Sequence, residues 1–424
     1  MKDQLPGIIG LYDNTFPLSL NFPVPELFRW RKILFDTRPK NERADFFNRD
    51  KEIEELKDIL KHNDFAAVLG IRRIGKTSLV MVTLNEVKDE IIPLVINLGK
   101  IGSEKKLYPM ETFSKLFLEG TSEIIKKYTF AGKISRLISN RLGVDPKDII
   151  DLNWAKIKIK LRDFNTQDVN EIVRGLDEIA DDNKKKLVIF LDEFQNIKRI
   201  KGFDIGSFLH DIYEWCKNTV LIVSGSFVGV TEEVLNQVEA EKPFFGRKFF
   251  KVYLERFNED QSREFLIKGF EEEGIKIDEK IIEKAIKLFD GIPGWLALFG
   301  RTYTYSVKHS HNIEIKDIIK EAAKQVSKDF TNFLKISSSP TRYAEIILSI
   351  SRLGGKGRLK EIADVMNSLY KEEIRESRLH DLLSTLVNYS FVKAEKRGIY
   401  SLPSDLPTRI GLIHASKMWL KKFR

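Results

Sequence analysis

Residues 65–77 read Phe65-Ala66-Ala67-Val68-Leu69-Gly70-Ile71-Arg72-Arg73-Ile74-Gly75-Lys76-Thr77. Five apolar residues run into a complete G-x-x-x-x-G-K-T string, the strand–loop–helix order of a phosphate-binding loop. Gly70 and Gly75 let the backbone turn tightly and carry its N–H groups onto phosphate oxygens. A helix beginning near Gly75 adds the partial positive charge of its N-terminus. Lys76 is expected to reach the β- and γ-phosphates, and the Thr77 hydroxyl to ligate Mg²⁺. Gly70, Ile71, Arg72, Arg73, Ile74, Gly75, Lys76, Thr77 and Ser78 together form the expected phosphate cradle.

A second stretch, Leu187-Val188-Ile189-Phe190-Leu191-Asp192-Glu193, is an apolar run that ends in two acids. Such a run predicts a buried parallel strand with carboxylates at its carboxyl end, where open α/β sheets bind ligands. Asp192 is the expected Mg²⁺ partner, directly or through water, and Glu193 the general base for an attacking water.

Further strands are predicted at 94–98 and 220–223, with helices at 49–61 and 76–88. Residues 103–182 read as mostly helical, although Ala155, Ile157, Ile159 and Leu161 alternate with lysines in a way that fits a half-buried strand or a charged helix edge. Strands alternating with helices around a phosphate loop imply an α/β fold, an αβα sandwich with a parallel sheet. From 257 to 335 the pattern is wholly helical. Asn258 is a candidate cap, a helix is expected at 278–289, and Gly291-Ile292-Pro293 breaks the chain. Ser337-Ser338-Ser339-Pro340 reads as a linker. Helices then fit 341–353, 359–369 and 374–388, with a basic turn at Gly354–Arg358 and a hairpin over 391–402 turning at Gly398. Three helices followed by a hairpin is the winged-helix order. The expected division is an extended arm at 1–42, a P-loop core at 43–256, a helical lid at 257–336 and a winged-helix domain at 337–424.

The chain has 424 residues and a net charge of +9. Sixteen Lys/Arg against nine Asp/Glu lie in residues 341–424, and a basic terminal region points toward nucleic acid. A single cysteine, Cys216, provides no internal disulfide and suits a reducing cytosol. No run approaches the apolar length of a membrane span, so a cytoplasmic protein with no membrane partner is expected.

The loop Gly70-Ile71-Arg72-Arg73-Ile74-Gly75-Lys76-Thr77-Ser78-Leu79 resembles the archaeal ATPase family within the STAND class of P-loop NTPases, a class related to AAA+ proteins and to the Orc/Cdc6 initiators. Leu34–Lys40 and Phe46–Glu52 are similar to that family's leading segment, with Asn48 where glycine is typical; Asn tolerates positive φ better than most residues. Asn48 and the adjacent Arg49 are thereby placed among the nucleotide-binding residues. Leu191-Asp192-Glu193-Phe194-Gln195 is similar to the acidic motif. Gly291-Ile292-Pro293 is similar to the G-x-P motif of STAND lids, which puts Pro293 near the adenine. The resemblance covers about residues 33–335. It implies an ATP–Mg²⁺ site, a helical lid, a C-terminal winged helix and a nucleotide-controlled switch.

Three further expectations concern the site and its partners. Ser224, directly after the strand at 220–223, is placed ahead of Ser226 as a polar sensor of the γ-phosphate or attacking water. Arg247 is a candidate arginine finger, in cis or toward a neighbour. Arg375 and Arg378 on the third C-terminal helix, with Lys393, Lys396 and Arg397 in the wing, are candidates for duplex DNA, whereas Glu372, Glu373, Glu376 and Asp381 beside them repel phosphate; winged helices also serve as protein-binding modules, which leaves a protein partner open. Three readings follow: an ATP-hydrolysing switch, a DNA-binding initiator or loader, and a non-hydrolysing regulator. The intact Asp192-Glu193 pair speaks against the third. No Asn-Lys-x-Asp string occurs, which favours ATP and ADP over guanine nucleotides. Monomer and nucleotide-dependent oligomer both fit.

Overall fold

The computed structural model describes residues 34–423 apart from 103–104, 128–130, 152–156, 158–160, 162–163, 242–248 and 371–373. Most of the expected N-terminal arm, Arg247, and most of the alternating stretch around Ala155 lie outside the described residues.

Five parallel strands form the central sheet: β1 (Phe65–Leu69), β2 (Ile91–Asn97), β3 (Lys186–Asp192), β4 (Thr219–Gly225) and β5 (Phe249–Tyr253). Their order is β2-β3-β4-β1-β5. β1, β3 and β4 are almost continuously apolar because both of their faces are covered. Phe65, Ala67, Leu69, Leu187, Ile189 and Leu191 enter one apolar cluster, while Ala66, Val68, Val188 and Phe190 enter another on the opposite face. This is the α/β sandwich that the sequence implies. Strand β5 was not foreseen. Only Phe249 and Val252 are buried, with Phe250, Lys251 and Tyr253 exposed, as befits an edge strand.

Helix α1 (Asp50–Lys61) opens after two left-handed residues, Asn48 at φ 61° and Arg49 at φ 76°. Helix α2 (Lys76–Glu86) follows the phosphate loop. Between β2 and β3 the chain is largely helical, including Met110–Lys127 and Thr166–Asp182. Helix α3 (Val228–Glu241) follows β4.

Four helices then follow: α4 (Glu259–Glu272), α5 (Glu279–Phe289), α6 (Pro293–Lys308) and α7 (Ile315–Ile336). Asn258 closes a capping box with Gln261, and Asp278 caps Lys280. Pro293 begins α6 at its first turn, where a missing N–H costs nothing. The leading segment packs on this layer through Phe35. Its ring lies in a slot between Gly269 of α4 and Gly300 of α6, where an added Cβ would come within 2.3 and 2.4 Å of the ring.

The C-terminal part comprises α8 (Pro340–Arg352), α9 (Leu359–Tyr370), α10 (Glu376–Asn388) and α11 (Leu406–Phe423), with a three-stranded antiparallel sheet. Its strands are β6 (Lys356–Arg358), β7 (Lys393–Glu395) and β8 (Ile399–Ser401), with β8 central. The basic turn expected at 354–358 is confined to Gly354 and Gly355, both at positive φ; Lys356–Arg358 pairs with β8 because the turn delivers it to the hairpin edge. One apolar cluster runs from Phe257 through α7 to Leu412 and Ala415.

Candidate functional site

The phosphate loop is held open by glycine. Gly75 sits at φ 104° and caps α2, and a Cβ at Gly70 would stand 2.8 Å from the Leu254 carbonyl oxygen. Lys76 points back under the loop, and its ammonium donates to the carbonyls of Gly70 (2.8 Å) and Ile71 (2.9 Å). Burial pulls its pKa down from 10.5 to about 8, against the opposing pull of Glu193 and Asp192. A buried ammonium satisfied only by neutral carbonyls is a site prepared for an anion.

β1 lies beside β4 and β4 beside β3, so the loop meets the acidic strand end. Thr77 Oγ1 donates to Asp192 Oδ2 at 3.0 Å. Ser224 is fully buried and gives its hydroxyl to Asp192 Oδ1. Burial raises the Asp192 pKa, partly offset by the Ser224 and Thr77 hydrogen bonds. A hydroxyl and a carboxylate side by side are hard oxygen donors that fit Mg²⁺, which takes one or two protein oxygens and fills the rest of its octahedron with phosphate and water.

Glu193 leaves the strand in the left-handed conformation, φ 55° and ψ 47°, which re-aims the chain at the strand end. Its carboxylate lines a cavity of about 350 Å³. Ser226 Oγ donates to Glu193 Oε1 at 2.7 Å, and Gln195 Nε2 donates to the other oxygen. Burial pushes the Glu193 pKa up, but Lys76, Arg72 and these two hydrogen bonds outweigh it, and the group is held below its ordinary value. It is therefore ionised at neutral pH, as a general base must be.

The rest of the cavity is built by three segments. Arg73, Ile74, Gly75, Lys76, Thr77 and Ser78 form its floor. The leading segment forms one wall, fastened by the Lys40 N–H donating to Ser78 Oγ at 3.0 Å. Phe47, Phe257, Phe265, Pro293 and Leu298 form an apolar end, suited to a flat heterocycle. Arg49 lines the cavity, paired with Glu52 at 2.9 Å and lying over the Phe257 ring.

Several expected residues stand elsewhere. Asn48 does not line the cavity; it supplies the positive-φ turn before α1 and accepts from the Arg49 N–H at 2.8 Å. Ser224 lies beneath Asp192 rather than at the cavity, because a residue still within β4 is covered from both sides; Ser226, one residue past the strand, lines it. Ile71 and Arg72 line a second cavity of about 370 Å³, which shares Arg73, Ser226 and Trp295 with the first. Both loop arginines meet α7: Arg72 pairs with Asp329 at 2.5 Å, and Arg73 reaches the same carboxylate oxygen at 3.5 Å. Gln195, Trp295 and Asp329 escaped the sequence reading. Gln195 stood within the acidic motif, whereas Asp329 is one acid among many on a charged helix.

A parallel sheet carrying a phosphate loop after β1, with an acid pair at the end of β3, one strand removed, defines a P-loop nucleoside triphosphatase. The chain belongs to the family of ATPase domains found predominantly in Archaea, whose model matches residues 46–299. It is similar to the Walker-type ATPase of Pyrococcus abyssi, with 25% identity, a TM-score of 0.69, and coverage of 90% of this chain and 99% of that one. It also shares the fold of the Orc2 protein of Aeropyrum pernix, solved as ADPNP–ADP complexes, at 14% identity and a TM-score of 0.57, with coverage of 92% and 98%. No curated protein matches. Among the described residues no helix is long and apolar enough to cross a membrane.

Proposed function

We propose that this protein binds ATP and hydrolyses it with Mg²⁺, acting as a nucleotide-controlled conformational switch of the STAND type in the cytoplasm. The observation that carries the reading is the ionised Glu193, held by Ser226 and Gln195 at the mouth of the Lys76 loop. Lys76 and the loop N–H groups bind the phosphates. Thr77 and Asp192 would hold Mg²⁺, which supplies charge neutralisation of the phosphates when bound. Glu193 orients a water and accepts its proton as the water oxygen bonds to the γ-phosphorus and the bond to the ADP oxygen breaks. Ser226 and Gln195 fix the carboxylate; Ser224 fixes Asp192. Phe47, Phe257 and Pro293 receive the adenine. Arg247 stays a candidate finger, in cis or toward a neighbouring copy, and the second of these would make assembly nucleotide-dependent.

The test is ATP turnover by the wild type beside Glu193→Gln and Lys76→Ala, each with and without duplex DNA. Loss in both variants supports the mechanism. Binding without turnover, indifferent to Glu193→Gln, leaves a nucleotide-sensing regulator of a protein partner.

A second reading, an Orc/Cdc6-like initiator or loader, draws on one observation. Arg342, Arg375 and Arg378 line a common depression where α10 begins, in the C-terminal part that we read as a winged helix. Duplex DNA affinity falling steeply with added salt would support it.

A further inference from the structure

One carboxylate, Asp329, serves two consecutive arginines of the phosphate loop. The two arginines are held differently. Arg73 is fastened on every side: its guanidinium lies 4.2 Å from the Trp295 ring centroid, it donates to Gln325 Oε1 at 3.1 Å, and its carbonyl accepts from the Gly294 N–H at 3.0 Å. Arg72 has Asp329 and the Phe227 ring at 5.4 Å. Its charge bears on both Lys76 and Glu193, the two groups that face the transferred phosphate. The Arg72–Asp329 pair is partly exposed, 38% and 21% by side chain, and such pairs are weak. A polyanion arriving beside it is a competitive partner, and an arginine fork matches phosphate oxygens as well as it matches a carboxylate.

We infer that Arg72 senses the γ-phosphate and that Asp329 is its partner in the absence of one, so that a triphosphate and the lid compete for a single guanidinium. A diphosphate leaves Arg72 on α7. A triphosphate draws it off, and α7 then retains only the longer Arg73 contact to that carboxylate. The γ-phosphate thereby loosens the tie between loop and lid. This rests on the ATP reading above.

The test measures dissociation constants for Mg²⁺·ADP and for a non-hydrolysable ATP analogue by calorimetry. Asp329→Asn removes the competitor and should raise the preference for triphosphate about tenfold, a usual size for such coupling. Arg72→Gln should lower that preference about tenfold while changing ADP affinity less than about twofold. The double variant should behave as Arg72→Gln, since freeing an absent guanidinium gains nothing. Arg72→Lys, which keeps the charge, serves if the glutamine variant fails to fold. Parallel weakening of both nucleotides, or an unchanged preference in Asp329→Asn, overturns the inference alone. A wild type that binds neither nucleotide overturns the ATP reading and this inference with it.

Discussion

Lys76 carries the most chemistry of any residue here. Its pKa of about 8 has two consequences of opposite sign. A bound phosphate raises that pKa, so binding takes up a proton above pH 8. Nucleotide affinity should be flat at lower pH and fall by up to about tenfold per pH unit above it, measured by titration in buffers of different pH. In the nucleotide-free protein the folded state holds its proton less tightly than the unfolded chain, so stability rises as pH climbs from about 8 to 10.5. At neutral pH the charged form is disfavoured by roughly 3 kcal/mol. Lys76→Met should therefore abolish nucleotide binding yet raise the melting temperature. Glu193→Gln should lower kcat by about 10²- to 10⁴-fold with ATP affinity kept, read from steady-state rates beside binding. Ser226→Ala should lower kcat less, because Gln195 still holds the carboxylate.

At the scale of elements, two close approaches fix the cavity. Gly294, in the first turn of α6, leaves room for Arg73, whose Cβ and carbonyl oxygen would stand 2.7 and 3.0 Å from an added Cβ. Gly294→Val should push α6 off the phosphate loop and weaken ADP and ATP alike, by at least about tenfold in calorimetry. Phe35 is the matching contact for the leading segment, clasped by Phe265, Phe270, Gly269 and Gly300. Phe35→Ala should cost about 3–5 kcal/mol in a denaturant melt, and nucleotide should recover part of it by binding the folded state.

Across the whole molecule, Asp405 joins three regions. It accepts from Trp295 Nε1 of α6 at 3.2 Å and from the Thr408 N–H of α11 at 3.0 Å, and it faces Arg256 after β5 at 3.5 Å. Asp405→Ala leaves the buried Trp295 indole N–H without its acceptor, while Arg256 keeps Asp290, so a loss of about 1–3 kcal/mol is expected in thermal unfolding; Asp405→Asn, which keeps the acceptor, should lose less. Phe330 and Phe333 of α7 pack on Phe391, and Phe333 on Tyr389, so α7 and the C-terminal part share a core.

What the sequence determined by itself is the chemistry that lies in one short stretch of chain. Gly70–Thr77 and Leu187–Glu193 are local strings whose residue types follow from phosphate and metal binding, and β1, β3 and β4 are legible because buried parallel strands are continuously apolar. Strand β5 was hidden because an edge strand carries a lysine and exposed aromatics. Helix α11 went unread although its start is marked locally: Asp405 accepts from the Thr408 N–H, and Pro407 stands in the first turn. Tertiary structure alone decided which serine meets which acid, since strand ends set depth: Ser224 remains within β4 and Ser226 clears it. It alone paired Arg72 with Asp329, 257 positions apart, because no local period records which charged residue of α7 will face the loop beneath it.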